Sequence, residues 1–294
     1  MRTENAPTVR LADYAPPDFL ADEIALSFRL APKGARVRAR VRFRRNPEGN
    51  PAADLRLDGR ALRLVSAAID GAAVPQNALT VDAEGLTVAA AHVPQAFVWE
   101  AETEIDPEAN TALEGLYMSK GMYCTQCEAQ GFRKITYWPD RPDVMARFRV
   151  RIEGEAPVLL SNGNLVAPGA GFAEWEDPFP KPSYLFALVA GDLRAVEDRF
   201  VTMSGREVLL QIWVRAGDED RCGYAMDALK RSMRWDEEAY GREYDLDRFM
   251  IVAVSGLAST YFELKTLSPL FSIAPILKSS TATIMKRSRS YSRP

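Results

Sequence analysis

A mainly β protein, with curved antiparallel sheets in a sandwich-like arrangement followed by the start of an α/β unit, is the fold this sequence predicts. Three observations predict it. Apolar and polar residues alternate with period two in many short runs through the first two hundred residues, the pattern of strands with one face in a core and one in water. Turn pairs such as Asp58-Gly59, Asp70-Gly71 and Asn162-Gly163 separate those runs, as hairpins require. After Gly217 the apolar spacing becomes helical.

In the first long run, Val37, Ala39, Val41 and Phe43 alternate with Arg36, Arg38, Arg40, Arg42 and Arg44, which puts five arginines on one face of a strand. Such a stripe reads either as a polyanion site or as a solvated sheet face paired to carboxylates on neighbouring strands. Leu55/Leu57, Leu62/Leu64, Phe97/Trp99/Ala101, Phe148/Val150/Ile152 and Val208/Leu210/Ile212/Val214 continue the alternation. Many short strands without helices between them indicate antiparallel sheets. Cys222, Met226, Leu229 and Met233 then fall at i, i+4, i+7 and i+11, so a helix is expected from a cap at Asp218 or Asp220 to Tyr240, ended by Gly241. Phe249 to Val254 reads as a buried strand. The expected units are therefore a β-rich domain over 1–199, the incomplete beginning of an α/β domain over 200–254, and an unstructured tail over 255–294 that lies outside the matching pattern.

Composition excludes several classes of function. The chain has 294 residues, 47% hydrophobic and 26% charged, with a net charge of −3; that is an ordinary globular balance and argues against a nucleic-acid partner. Nothing apolar follows Met1-Arg2-Thr3-Glu4-Asn5 as a secretory signal would. The longest apolar run, Leu267 to Leu277, is interrupted by Pro269 and Pro275 and falls well short of the roughly 20 residues that span a bilayer. A cytoplasmic, monomeric protein without a membrane partner is the expectation. Cys124, Cys127 and Cys222 are too few for a disulfide framework. Cys124-Thr-Gln-Cys127 lacks the second pair of a zinc ribbon, and no strand-turn-helix setting surrounds it for dithiol chemistry, so the two thiols read as structural. The single histidine, His92, has no nucleophile near it in sequence, which leaves no Ser-His-Asp or Cys-His arrangement.

Two stretches carry a recognisable signature. Asn110-Thr-Ala-Leu-Glu-Gly-Leu-Tyr117 and Cys124-Thr-Gln-Cys-Glu-Ala-Gln-Gly-Phe-Arg-Lys-Ile-Thr-Tyr-Trp-Pro-Asp-Arg-Pro-Asp143 resemble the amino-terminal domain of the bacterial aminopeptidase N (alanyl aminopeptidase) family of zinc metallopeptidases. The resemblance continues through Leu160-Ser-Asn-Gly-Asn164, Asp177-Pro-Phe-Pro-Lys-Pro182, Tyr184-Leu-Phe-Ala-Leu-Val-Ala-Gly-Asp192, Ser204-Gly-Arg-Glu207 and Met233-Arg-Trp-Asp-Glu237, covering roughly residues 12 to 254. It implies that the α/β unit is the start of a thermolysin-like catalytic domain. It also implies a zinc cofactor in the intact enzyme, and a peptide with a free amino terminus as substrate.

Gln126 and Glu128 are the candidate substrate-binding residues. At i and i+2 of an extended segment they would present an amide and a carboxylate together, and an enzyme that cuts only at amino termini must recognise an ammonium, for which a carboxylate is the natural partner. The residues matching them in the family line that amine site. The competing reading pairs Glu128 with Arg133 or Arg141.

In the family, the strand matching Phe249 to Val254 leads into Gly-x-Met-Glu-Asn and later a His-Glu-x-x-His helix that binds zinc. Here Ser255-Gly-Leu-Ala-Ser259 follows, with no histidine beyond His92. No catalytic residue, no metal ligand and no bound zinc are expected of this chain, and it is expected to be inactive. The last 40 residues hold six Lys or Arg, one Glu and no Asp, Asn or Gln. Such a change is what a shifted reading frame produces; a basic disordered arm is the other reading. The alternative function is a non-catalytic β-sandwich module that binds a peptide or another protein.

Overall fold

The computed structural model describes residues 10–255 and, as backbone, 262–266. Its strands are β1 (Phe19–Arg29), β2 (Ala35–Arg45), β3 (Leu55–Asp58), β4 (Arg63–Ile69), β5 (Ala72–Ala73), β6 (Leu79–Asp82), β7 (Gly85–Val88), β8 (Ala96–Ile105), β9 (Gly115–Ser119), β10 (Met122–Gln126), β11 (Met145–Glu153), β12 (Val158–Ser161), β13 (Asn164–Gly169), β14 (Phe172–Pro182), β15 (Leu188–Gly191), β16 (Arg194–Val201) and β17 (Glu207–Val214). Helix α1 (Gly223–Tyr240) leads to β18 (Arg248–Ser255) and β19 (Phe262–Thr266).

The main sheet has eight strands in the order β13-β14-β11-β1-β2-β8-β4-β5. Its inner face is the one the alternation predicts. Ile24 lies beside Val41 and Phe148, and Leu26 beside Ala39 and Val150, all buried. One pairing departs from the antiparallel expectation: β1 and β11 run parallel. They lie far apart in sequence, so no hairpin joins them and no local pattern sets their direction.

On the outer face the arginine stripe is answered by carboxylates. Arg36 meets Glu102 and Glu104 at 3.0 Å, Arg38 meets Glu102 at 2.8 Å, Arg40 meets Glu100 at 3.4 Å and Arg44 meets Asp22 at 3.2 Å. Each exposed pair adds little, about 0–1 kcal/mol. With Arg42 and Glu23 at 4.0 Å, every arginine of the stripe has a carboxylate partner, so of the two sequence readings this is the sheet face and not the polyanion site.

A four-stranded sheet, β12-β15-β10-β9, and a three-stranded one, β3-β7-β6, supply the opposing layer. Leu57, Leu86, Leu116, Leu160 and Leu188 from these sheets join β1, β2, β8 and β11 in one core. Phe132 fills its centre, with its ring 5.8 Å from Trp138, 6.0 Å from Phe148 and 5.3 Å from Phe186. Edge-on aromatic contacts of this kind add to the apolar area buried.

The fourth sheet, β16-β17-β18-β19, has two covered faces. β17 and β18 are parallel and joined through α1, a βαβ unit. Leu210, Ile212, Phe249 and Ile251 form a second core with Met226, Leu229 and Met233 of the helix, while Met250, Val252 and Trp213 pack into the first core. Gly241 ends α1 in the left-handed conformation, φ 62°, as expected. The start differs. Cys222 occupies the cap position without a side-chain bond, because a short 3-10 turn, Glu219–Arg221, intervenes and Asp218 binds Arg221 at 2.8 Å. Within the tail expected to be unstructured, Phe262–Thr266 is a strand paired antiparallel with β18, and the rest of that expectation beyond Ser255 lies outside the described residues. An unpaired sheet edge offers a row of backbone donors and acceptors that an extended segment can satisfy.

Candidate functional site

The candidate site lies where β10 ends. Gln126 is its last residue and pairs with Gly115 at the start of β9. The chain then folds back sharply, and two glycines permit it. Gly115 has φ +73°, and a Cβ on it would stand 2.7 Å from Cβ of Lys134. At Gly131 a Cβ would lie 2.3 Å from the Gln126 carbonyl oxygen. Either clash would push the turn off the end of the hairpin.

Half-buried Gln126 donates from Nε2 to the Glu128 carbonyl oxygen at 3.2 Å. Glu128 is exposed and lies in a turn, with a cis peptide bond to Ala129. The extended-segment argument for the pair therefore needs correction. The strand stops at Gln126, and what brings the two together is an amide bonded to the neighbouring backbone. The competing partners for Glu128 are engaged elsewhere: Arg133 binds Asp140 at 3.2 Å and Asp58 at 3.6 Å, and Arg141 binds Asp143 at 2.6 Å. Among the described residues no ion pair holds the Glu128 carboxylate.

The rest of the signature is architectural. Asp140, only 2% exposed, accepts hydrogen bonds from the backbone N–H and Nε of Arg133 at 3.1 and 3.2 Å and from Oγ of Ser183 at 2.7 Å. Its own N–H donates to Asp58 at 2.9 Å. Asp140 thus ties three separate segments around Phe132 and Trp138, two through its carboxylate and one through its backbone N–H, and removing a partner from such a buried charge typically destabilises by about 3–5 kcal/mol. Arg215 adds a tether from the other side, donating to the carbonyl oxygens of Ser119 and Lys120 at 3.2 and 3.3 Å. These are the turn of the hairpin whose far end carries Gln126. Sequence reasoning missed this network because Asp58 and Ser183 are distant from Asp140 along the chain.

The Asp-Pro-Phe-Pro-Lys-Pro segment holds a buried ion pair, Lys181 Nζ to Asp177 at 2.7 Å with both side chains nearly inaccessible. Burial pulls the Lys181 ammonium down to about 8, against the opposing pull of Asp177. The charged form is therefore the costly one. Between about pH 8 and the unfolded value of 10.5, the folded chain has lost a proton that the unfolded chain keeps. Stability is expected to rise over that window, by on the order of 2–3 kcal/mol. Urea unfolding across it should show the rise in the native chain and lose it in the Asp177→Asn/Lys181→Met double variant. Equal slopes in the two would exclude Lys181 as the source.

Cys124 and Cys127 are both buried and not joined to each other. His92 sits exposed in a short 3-10 turn. Among the described residues no group of three or more His, Cys, Asp or Glu is placed to hold a metal ion.

Comparison with known proteins supplies the rest. The family model described as the peptidase M1 N-terminal domain matches residues 20–185. The chain belongs to the M1 peptidase family. This M1 chain is 58% identical over 261 residues to "Aminopeptidase N" of Caulobacter vibrioides, covering 86% of the chain and 30% of that protein. It is 46% identical over 279 residues to "Aminopeptidase N" of Escherichia coli, covering 92% of the chain and 31% of that protein. At 92% the second match reaches beyond residue 254 into the last forty. The chain spans about a third of the length of these curated relatives. Among solved structures, Legionella pneumophila aminopeptidase A in complex with aspartic acid has a TM-score of 0.79 at 32% identity, covering 85% of the M1 chain and 30% of that protein. An M1 zinc metallopeptidase from Deinococcus radiodurans, bound to a Tyr-Ser-Ala substrate, shares the fold at a TM-score of 0.66 and 16% identity, over 81% of this chain and 57% of that one.

Proposed function

We propose that this chain is the amino-terminal part of a zinc-dependent aminopeptidase that removes amino-terminal residues from peptides. Its own contribution is recognition of the free amine. The observation that carries the reading is an exposed carboxylate, Glu128, without an ion pair among the described residues and held beside Gln126 at a hairpin end, in an M1 chain with aminopeptidase N relatives. The Glu128 carboxylate takes the substrate ammonium, and Gln126 positions the turn and contacts the first residue of the peptide.

The donor set of this sequence does not fit a catalytic zinc, which needs three protein ligands and an open position. One histidine is present, and among the described residues no group of three His, Cys, Asp or Glu side chains is placed to hold a metal ion. Metal-dependent hydrolysis would thus need residues that this chain does not supply, and the chain as given is inactive in our reading. No helix among the described residues is long and apolar enough to cross a membrane. We place the protein in the cytoplasm, as a monomer whose ligand is a peptide with a free amino terminus.

Peptide binding tests the reading directly. Trialanine titrated into the isotope-labelled chain is expected to shift the backbone signals of residues 126–131, and N-acetyl-trialanine, which has no ammonium, is expected to leave them unmoved. Equal shifts with both peptides would reject amine recognition and favour a general interaction module.

A further inference from the structure

Asn110–Tyr117 belongs to the sequence signature, yet neither Gln126 nor Glu128 lies in it. In the structure it meets the hairpin end. Gly115 pairs with Gln126, and Gly131 packs on the same glycine. A Cβ on Gly131 would lie 3.0 Å from the Gly115 nitrogen, and one on Gly115 would lie 3.2 Å from the Gly131 carbonyl oxygen. The Gly131 N–H donates to the Cys127 carbonyl oxygen at 2.8 Å. Both ends of the loop 127–130, which carries Glu128, are therefore seated on one residue.

Side chains close the arrangement on two sides. Lys134, at the end of the 3-10 turn Phe132–Lys134, binds Glu114 at 2.7 Å, and its backbone N–H donates to the Gly131 carbonyl oxygen at 3.1 Å. The ion pair thus spans the point where the two glycines meet. Asn110 Nδ2 donates to the carbonyl oxygens of Glu114 and Leu116 at 2.8 and 2.9 Å, which pins the backbone on either side of Gly115. Asn110 Oδ1 accepts from the Ala112 N–H at 3.2 Å, so both ends of the amide are used in the orientation that each requires. The Lys134 side chain is 14% exposed and that of Glu114 53%. A pair this open contributes little to global stability, so its value lies in what it holds in place.

We propose that Asn110, Glu114 and Lys134 form a clamp that sets the position of Glu128, which makes them positioning residues for the substrate amine. They hold the loop 127–130 in one conformation, and through it the Glu128 carboxylate. Glu114 also occupies the Lys134 ammonium. The 124–143 stretch has three basic residues, Arg133, Lys134 and Arg141, and the other two bind Asp140 and Asp143, so each has a carboxylate partner other than Glu128. Ordering a loop on binding subtracts from affinity, and a loop held in advance therefore binds more tightly than the same loop released. The clamp's role in binding rests on the amine recognition proposed for Glu128.

The test uses the whole 294-residue chain, unmodified, as Lys134→Met, as Glu114→Gln and as the exchanged pair Glu114→Lys/Lys134→Glu. Two quantities are read by NMR at a temperature where all four are folded: backbone order parameters of residues 127–130 without ligand, and the dissociation constant of trialanine. In both single variants the order parameters are expected to fall toward the flexible range, below about 0.6, while those of β1 stay unchanged. Trialanine is expected to bind those variants about tenfold more weakly. The exchanged pair restores the tie with its charges reversed, and is expected to return both quantities close to their original values. A role in stability alone would lower the unfolding midpoint of the single variants and move neither quantity. Order parameters unchanged in both single variants would overturn the clamp, as would trialanine affinity unchanged beside lowered order parameters. Failure of the unmodified chain to bind trialanine, with order parameters lowered in both single variants, would sink amine recognition alone and leave the clamp standing.

Discussion

Purified as the 294-residue chain, the protein is expected to release no product from an alanine anilide, with or without added zinc. Catalytic zinc sites use three protein ligands and keep a fourth position for water. Here the one histidine sits in an exposed turn, and all three thiols are packed in the two cores. Enzymatic rate enhancements are typically about a millionfold or more, so their loss reads as no activity and not as reduced activity. Chelator-sensitive turnover that returns on adding zinc would overturn the prediction. A parallel preparation of Glu128→Ala separates host contamination, whose turnover would be unchanged by that substitution.

The second large effect concerns Glu128 in a longer chain, in which residues 1–254 continue into Gly-x-Met-Glu-Asn and His-Glu-x-x-His segments. Glu128→Ala there is expected to raise KM by about a hundredfold, with a smaller change in kcat. A carboxylate facing the substrate ammonium holds a charge that is not altered during the reaction, so it stabilises ground and transition states alike. Truncating one partner of a desolvated charge pair typically loses about 2–5 kcal/mol. Glu128→Gln should fall between the two, because the amide accepts a hydrogen bond but carries no charge. Steady-state kinetics on an unblocked peptide decide it: native KM and kcat in both variants would return Glu128 to a surface residue without a role in binding.

Much of this architecture was legible because it is written locally. The alternation from Arg36 to Arg44 carries its own face assignment, and the Glu100, Glu102 and Glu104 row of β8 is spaced to match it. Gly241 is readable as a helix end because the left-handed conformation favours glycine. Non-local choices were not readable. The parallel join of β1 to β11 rests on residues more than a hundred positions apart, and the Asp58, Arg133, Asp140 and Ser183 network closes only when three loops meet. The start of α1 was misread because Asp218 and Asp220 both suit a cap, and nothing local shows that a 3-10 turn takes precedence. At the candidate site, the residue identities of Gln126 and Glu128 were available from the resemblance. Their geometry was not, because the strand stops at Gln126 and the turn is shaped by Gly115 and Gly131.

The central position of β1 matters during synthesis. One neighbour, β2, follows almost at once, but the other, β11, begins at Met145. A ribosome adding roughly 5–20 residues per second needs about 6–23 s to make the roughly 115 residues that separate Arg29 from Met145. Throughout that interval the β11-facing side of β1 is a bare edge, next to Ile24, Leu26 and Phe28, of the kind that recruits other strands. Slow codons between positions 105 and 145 would prolong the exposure, and fast ones would shorten it. In the main sheet β1 is thus the strand that waits longest for its second neighbour.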